Sequence, residues 1–243
     1  MPRFKRWLII AIWIAFPSTL TAQNHHNAWL RGTLGVPLSE KLKTDIEFQH
    51  RRQNGFQNMN MLDQNLMFSI RPWIHYQYRS NLKFSASPFS YFSHYRIIQD
   101  KADNEVTANS EVRVSIAEEL QHKISRHIYL LNRNALEYRI FNSPQPNITR
   151  FRTRFGGQYE LTGHVKLALF DEFFINLAGT SAGHIPDHNR TGFNIEYNVS
   201  PQLKFDLGYI YLVRFSVPTA AGNIRSHENN IFLHLTYQLK NNK

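Results

Sequence analysis

The sequence predicts an all-β fold: a transmembrane, antiparallel up-and-down β-barrel of about twelve strands, with ten as the alternative. Three observations carry that expectation. The chain opens on a leader of exported type, the remainder alternates polar and apolar residues with period two, and its connections alternate between short and long.

The leader comes first. Arg3, Lys5 and Arg6 precede an apolar run from Trp7 to Phe16, and Pro17 begins a small, polar stretch that ends at Ala22. A charged head, a ten-residue apolar run and a small residue at the cut make a Sec-type signal peptide, and the run is too short to span a bilayer. Residues 1–22 are therefore read as cleaved and residues 23–243 as a single barrel domain of a Gram-negative outer membrane.

In the remainder, Leu42, Thr44, Ile46, Phe48 and His50 fall on one face, with Lys43, Asp45, Glu47, Gln49 and Arg51 on the other. Period two with one charged face means a strand. The same alternation marks Leu62–Ile70, where Leu66 falls on the apolar face, and Leu82–Pro88. It continues through Glu111–Ile116, Ile128–Phe141, Arg150–Gly156, Val165–Leu177, Thr191–Val199 and Leu203–Phe215. The last strand carries Ile231, Leu233, Leu235, Tyr237 and Leu239 on one face, the pattern by which barrel-assembly machinery recognises a terminal strand. Glu118 and Asp171 break the pattern by falling on otherwise apolar faces.

Short turns are expected at Pro37–Glu40, Thr162–His164 and Ser200–Gln202, and longer polar loops at Gln99–Thr107, Asn142–Asn147, Gly179–His188 and Val217–Ser226. With Asn27–Val36 the segmentation yields eleven strands, whereas antiparallel closure needs an even number. Either Asn27–Val36 is not an ordinary wall strand or one strand lies hidden within Pro72–Arg96.

Composition narrows the function classes. Mean hydropathy of −0.43 excludes a multi-helix membrane protein, and the absence of cysteine excludes disulfides and thiolate metal sites. Without the leader, 25 basic residues face 18 acidic ones, a net +7. The basic residues are scattered at strand spacing, which favours lipopolysaccharide or small anionic solutes as partners over nucleic acid. The sequence has no HExxH, EF-hand loop or phosphate-cradling glycine loop, so neither a metal nor a cofactor is expected. His25-His26, His184 and His188 read as solvated histidines.

The spacing from Glu111-Val112-Arg113 through Asn132-Arg133-Asn134-Ala135-Leu136-Glu137-Tyr138-Arg139 to Arg150-Phe151-Arg152-Thr153-Arg154 resembles DUF2490, a domain of unknown function. His188-Asn189-Arg190-Thr191-Gly192-Phe193 and Leu207-Gly208-Tyr209 are similar to its C-terminal pattern. The resemblance covers most of the chain after the leader and implies an outer-membrane barrel of a kind common in Bacteroidetes. It implies no activity and no catalytic residue.

The lumen-lining candidates are Arg113, Arg133, Glu137, Arg139, Arg150, Arg152, Arg154, Glu172, Arg190 and Glu196, together with Glu111. In a barrel the polar face turns inward, so these charges should meet across adjacent strands. One reading is a network of ion pairs that fills a narrow interior in a structural or solute-passage barrel. The other is an arginine-lined channel for anions or acidic oligosaccharides, since guanidinium groups fork onto carboxylate, sulfate or phosphate. A barrel lipid hydrolase is a third class, disfavoured because no Gly-x-Ser-x-Gly elbow is present and adjacent Ser93 and His94 point to opposite faces of a strand. Mass spectrometry of the exported protein is expected to find Gln23 at the N-terminus; an intact Met1 would overturn the leader assignment.

Overall fold

A computed structural model describes residues 24–219 and 222–240, so the signal peptide read at residues 1–22 lies outside the described residues. Among the described residues eleven strands close into one barrel. They are β1 (Asn24–Pro37), β2 (Leu42–Gln53), β3 (Gln64–Arg79), β4 (Leu82–His94), β5 (Asn109–Lys123), β6 (Ile128–Phe141), β7 (Ile148–Glu160), β8 (Val165–Ala178), β9 (Pro186–Asn198), β10 (Leu203–Thr219) and β11 (Gly222–Gln238). Each pairs antiparallel with its neighbours in sequence, except at the seam.

The seam corrects the expected even count of twelve. β1 and β11 pair in parallel over twelve register positions, from Asn24 opposite His227 to Gly35 opposite Gln238. Asn27–Val36 is thus a wall strand, and no strand is hidden in Pro72–Arg96. Pro72 and Pro88 lie inside β3 and β4, where each removes a ladder donor. Register shifts between Ile70 and Ile74 and between Ser87 and Ser90 absorb them, so both strands run through.

The connections of two to four residues after β1, β3, β5, β7 and β9, such as Ser80-Asn81 between β3 and β4, fall at one end of the barrel, and those at the other end are longer except between β10 and β11. The long loop expected at Val217–Ser226 is instead mostly strand, because β10 extends to Thr219 and β11 begins at Gly222. The longest loop joins β4 to β5 and contains a short 3-10 turn, Lys101–Glu105, capped reciprocally by Asp100 and Asp103.

The two faces of the wall are chemically opposite. Outward positions such as Ile46, Phe48, Ile116, Phe155, Leu169, Phe193 and Leu233 are exposed hydrophobics, while Glu111, Arg113, Glu137, Arg150 and Glu172 are buried inside. Leu66 departs from its expected outward face. A register shift at Arg51/Arg52 makes it an extra residue, and it is buried beside Met67. Under the β8–β11 wall the interior is filled. Trp29, Ile210 and Leu212 form a small core with Phe170 and Phe232 against it. Phe232 lies over inward-facing Gly208, where a Cβ would stand 2.5 Å from its ring, and Phe170 lies over Gly192 in the same way at 2.7 Å.

Glu118 and Asp171 do point outward, and neighbouring side chains satisfy them. Asn134 Nδ2 donates to Glu118 at 3.0 Å, and Thr191 Oγ1 donates to Asp171 at 2.6 Å with Asn189 Nδ2 at 3.1 Å. The parallel seam makes a direct prediction in this cysteine-free chain. Thr33 and Thr236 are register partners on the inward face, so a Thr33→Cys/Thr236→Cys variant is expected to form a disulfide under mild oxidation. The crosslink would keep the denatured chain circular and shift its gel mobility; no shift would argue for a different closure.

Candidate functional site

The site is the barrel interior, where alternation and register together set charge against charge. On β5 to β9 the inward positions read Glu111 and Arg113, then Glu137 and Arg139, then Arg150, Arg152 and Arg154, then Glu172, then Arg190. Register places Glu137 opposite Arg150, and Glu172 between Arg154 and Arg190. Each carboxylate is therefore shared by several guanidinium groups.

Glu111 accepts Arg113 Nε at 2.7 Å and Arg139 Nη2 at 2.6 Å. Glu137 accepts Arg150 Nη2 at 2.6 Å, and Arg152 and Arg113 approach it at 3.3 and 3.4 Å. Glu172, 0% exposed, accepts Arg152 Nε at 2.7 Å and both Nε and Nη2 of Arg154 at 3.1 Å; Arg190 lies 3.6 Å away. Arg150 also reaches Asp187 at 2.7 Å, and Arg133 reaches Glu119 at 3.2 Å. Forked, charge-assisted bonds of this kind hold both partners in fixed orientation. Phe174 adds a platform for Arg150, Arg152 and Arg190, with their guanidinium carbons 4.4 to 5.1 Å from its ring centre.

A cavity of about 620 Å³ remains between this wall and the opposite one. Eleven arginines line it: Arg31, Arg51, Arg71, Arg113, Arg133, Arg139, Arg150, Arg152, Arg154, Arg190 and Arg214. The carboxylates that pair with them are seven: Glu47, Glu111, Glu119, Glu137, Glu172, Asp187 and Glu228. The ring is thus cationic even after every pairing is made.

At the loop end the β4–β5 loop folds over the cavity, and Tyr95 and Ile97 contribute to its lining. Gln53 Nε2 donates to the Arg96 carbonyl at 2.7 Å, the Ile98 N–H donates back to Gln53 Oε1 at 3.3 Å, and Arg96 pairs with Asp103 at 2.9 Å. Ile98 is buried beneath these contacts.

Of the lumen candidates, all but Glu196 belong to this ring or its ion pairs. Glu196 sits toward the short-turn end, where it meets Lys204 at 3.3 Å and Lys166 at 4.0 Å. Arg31, Arg51, Arg71, Arg214, Glu47, Glu119, Asp187 and Glu228 belong to the ring without having been candidates. Glu47 and Arg51 were legible as the polar face of β2, and Arg71 continues the alternation from Ser69. His188, read as solvated, is buried and stacked 3.8 Å from Phe174, because register sets the two opposite each other on β8 and β9. His25 is buried as well. Among the described residues no group of three or more His, Cys, Asp or Glu side chains is placed to hold a metal, and no helix is long and apolar enough to cross a membrane.

Stripping a buried carboxylate from its arginines leaves uncompensated charge, which costs about 3–5 kcal/mol. Glu172→Gln is expected to lower unfolding stability by that amount in urea titrations in lipid vesicles. Arg51 has no carboxylate partner among the described residues, so Arg51→Gln strands no charge and should cost no more than about 1–2 kcal/mol, the worth of its contact with Trp29. Equal losses for the two variants would refute this division of the ring.

No curated protein matches the chain. A crystal structure of the NanC porin, in a rhombohedral form, matches with 9% sequence identity over 87% of this chain and 99% of that one, with a TM-score of 0.48. The family whose pattern matches is DUF2490, described as a protein of unknown function, over residues 26–223. That match runs from β1 through β10, well over half of the chain, and the chain accordingly belongs to the DUF2490 family.

Proposed function

We propose that this protein is an outer-membrane channel whose arginine-lined interior admits small anionic solutes. The observation that carries the reading is the ring of eleven arginines against seven carboxylates around one internal cavity. A wall with one sign of excess charge concentrates counter-ions inside a low-dielectric shell and repels co-ions, the principle behind charged selectivity rings.

The outer surface supports the membrane setting. Its exposed aliphatic and aromatic side chains recur on every strand, far more continuously than isolated apolar residues on a soluble surface. A closed ladder is also the only sheet that leaves no edge donors or acceptors facing lipid. In that setting the C-terminal strand, with Ile231, Leu233, Leu235 and Tyr237 outward, presents its apolar face to the assembly machinery, and the ends of the wall meet lipopolysaccharide. The β4–β5 loop, pinned through Gln53, narrows the mouth that solutes would cross.

Planar-bilayer recording tests the proposal. Under a potassium chloride gradient the reversal potential is expected to report preference for chloride. Arg152→Ser/Arg154→Ser removes two ring charges and is expected to at least roughly halve that preference, an effect that shrinks as ionic strength rises. Absence of conductance, or cation preference in the unmodified protein, would overturn the reading.

A further inference from the structure

The arginines of the ring are not alike, and the difference marks out one wall. On β5 to β8 every guanidinium of the ring makes a hydrogen bond to a carboxylate at 2.6 to 3.2 Å. On β1, β2, β3 and β9 the four arginines Arg31, Arg51, Arg71 and Arg190 make none. Arg31 and Arg71 share Glu47 at 3.7 and 3.6 Å, and Arg190 stands 3.6 Å from Glu172, which Arg152 and Arg154 already occupy.

Arg51 pairs with no carboxylate among the described residues. It is 9% exposed, donates only to Gln49 Oε1 on its own strand, and lies in the field of Arg190, Arg31, Arg214 and Arg71. In all four arginines the buried Nε finds no acceptor among the described residues. A guanidinium forks onto two oxygens of one oxyanion through a pair of its N–H groups, and these four, which line the cavity, have spent none on a hydrogen-bonded carboxylate.

Trp29 organises the cluster. Register sets it directly opposite Arg51, whose guanidinium carbon lies 3.7 Å from the indole ring centre, and Arg190 approaches the same ring at 5.3 Å. The indole contacts two guanidinium groups without neutralising either. A carboxylate in its place would have neutralised them; an aromatic ring leaves their charge uncompensated.

We propose that Arg51 and Arg190 on Trp29, flanked by Arg31 and Arg71, form a discrete binding site for a small doubly charged oxyanion, a phosphate, sulfate or dicarboxylate group. This deepens the anion-channel reading and rests on it for access to the lumen. Two charges fit because four guanidinium groups face one carboxylate of their own, Glu47, and part of a second, Glu172. Arg190 borders the saturated wall on β9 while Arg31, Arg51 and Arg71 face it from β1, β2 and β3, so a bound anion would sit in the solute path.

Trp29 supplies the readout. In the protein beginning at Gln23 with Trp73→Phe, Trp29 is the sole tryptophan. Phosphate, sulfate and succinate, each titrated at constant ionic strength in chloride, are expected to change its fluorescence saturably. Arg51→Gln and Arg190→Gln should each weaken binding by about tenfold or more, as loss of a charged hydrogen bond requires. Arg51→Lys, which keeps the charge without the fork, should also bind more weakly, while Lys166→Gln, outside the ring, should bind as before. Heat-modifiable gel mobility confirms that each variant is folded.

A chloride response equal to that of the oxyanions, or binding that survives both glutamine variants, would overturn the site. Anion-selective conductance without saturable binding would overturn it too while leaving the channel standing. Saturable binding in a protein that does not conduct would do the reverse.

Discussion

Everything in this protein depends on the parallel ladder between β1 and β11. A β-sheet of eleven up-and-down strands ends on two edges whose strands run in the same direction, and each edge carries a row of unpaired N–H and C=O groups. Pairing them in parallel closes the ring, although parallel bonds are slanted and slightly weaker than the antiparallel bonds elsewhere. Closure then dictates side-chain chemistry. With one face turned in and the other out all the way round, alternation along each strand becomes a division between a polar enclosed volume and an apolar outer surface.

Inside, burial makes electrostatics costly unless every charge is placed. The three-way sharing of Glu137 and Glu172 among arginines is a solution set by register, because slipping one strand by a residue would turn its charges outward and leave its partners buried alone. The ion pairs thereby specify alignment as much as they contribute stability. They rigidify β5 to β9, and the Trp29 side of the ring keeps the guanidinium edges that this network does not consume. The interior therefore carries both the ion pairs and the arginine lining that the alternation of the strands places there.

The outward exceptions follow the same rule at smaller scale. Glu118 and Asp171 would be isolated acids on an apolar surface if read along their own strands alone. Their satisfaction comes from the adjacent strands, from Asn134, Asn189 and Thr191, none of which is near them in sequence. Cross-strand partners ten to twenty residues away are fixed by register, which a single strand's periodicity does not contain.

Period two sufficed to locate nearly every strand and to sort its residues by face, because each pleat alternates whatever its neighbours are. Arg113, Arg133, Arg139, Arg150, Arg152, Arg154 and Arg190 were accordingly legible as inward, and so in principle were Arg51 and Arg71. Closure was not legible, since the parity of the barrel is decided by which two edges meet, and the sequence of Asn27–Val36 reads the same beside any partner. Nor was it legible that Glu196 would stand apart from the ring, that Pro72 and Pro88 would be absorbed by bulges, or that Trp29 would separate Arg51 from any carboxylate. Those are distances between strands, and only the closed structure sets them, because the depth and neighbours of a side chain depend on register and curvature summed around the whole ring.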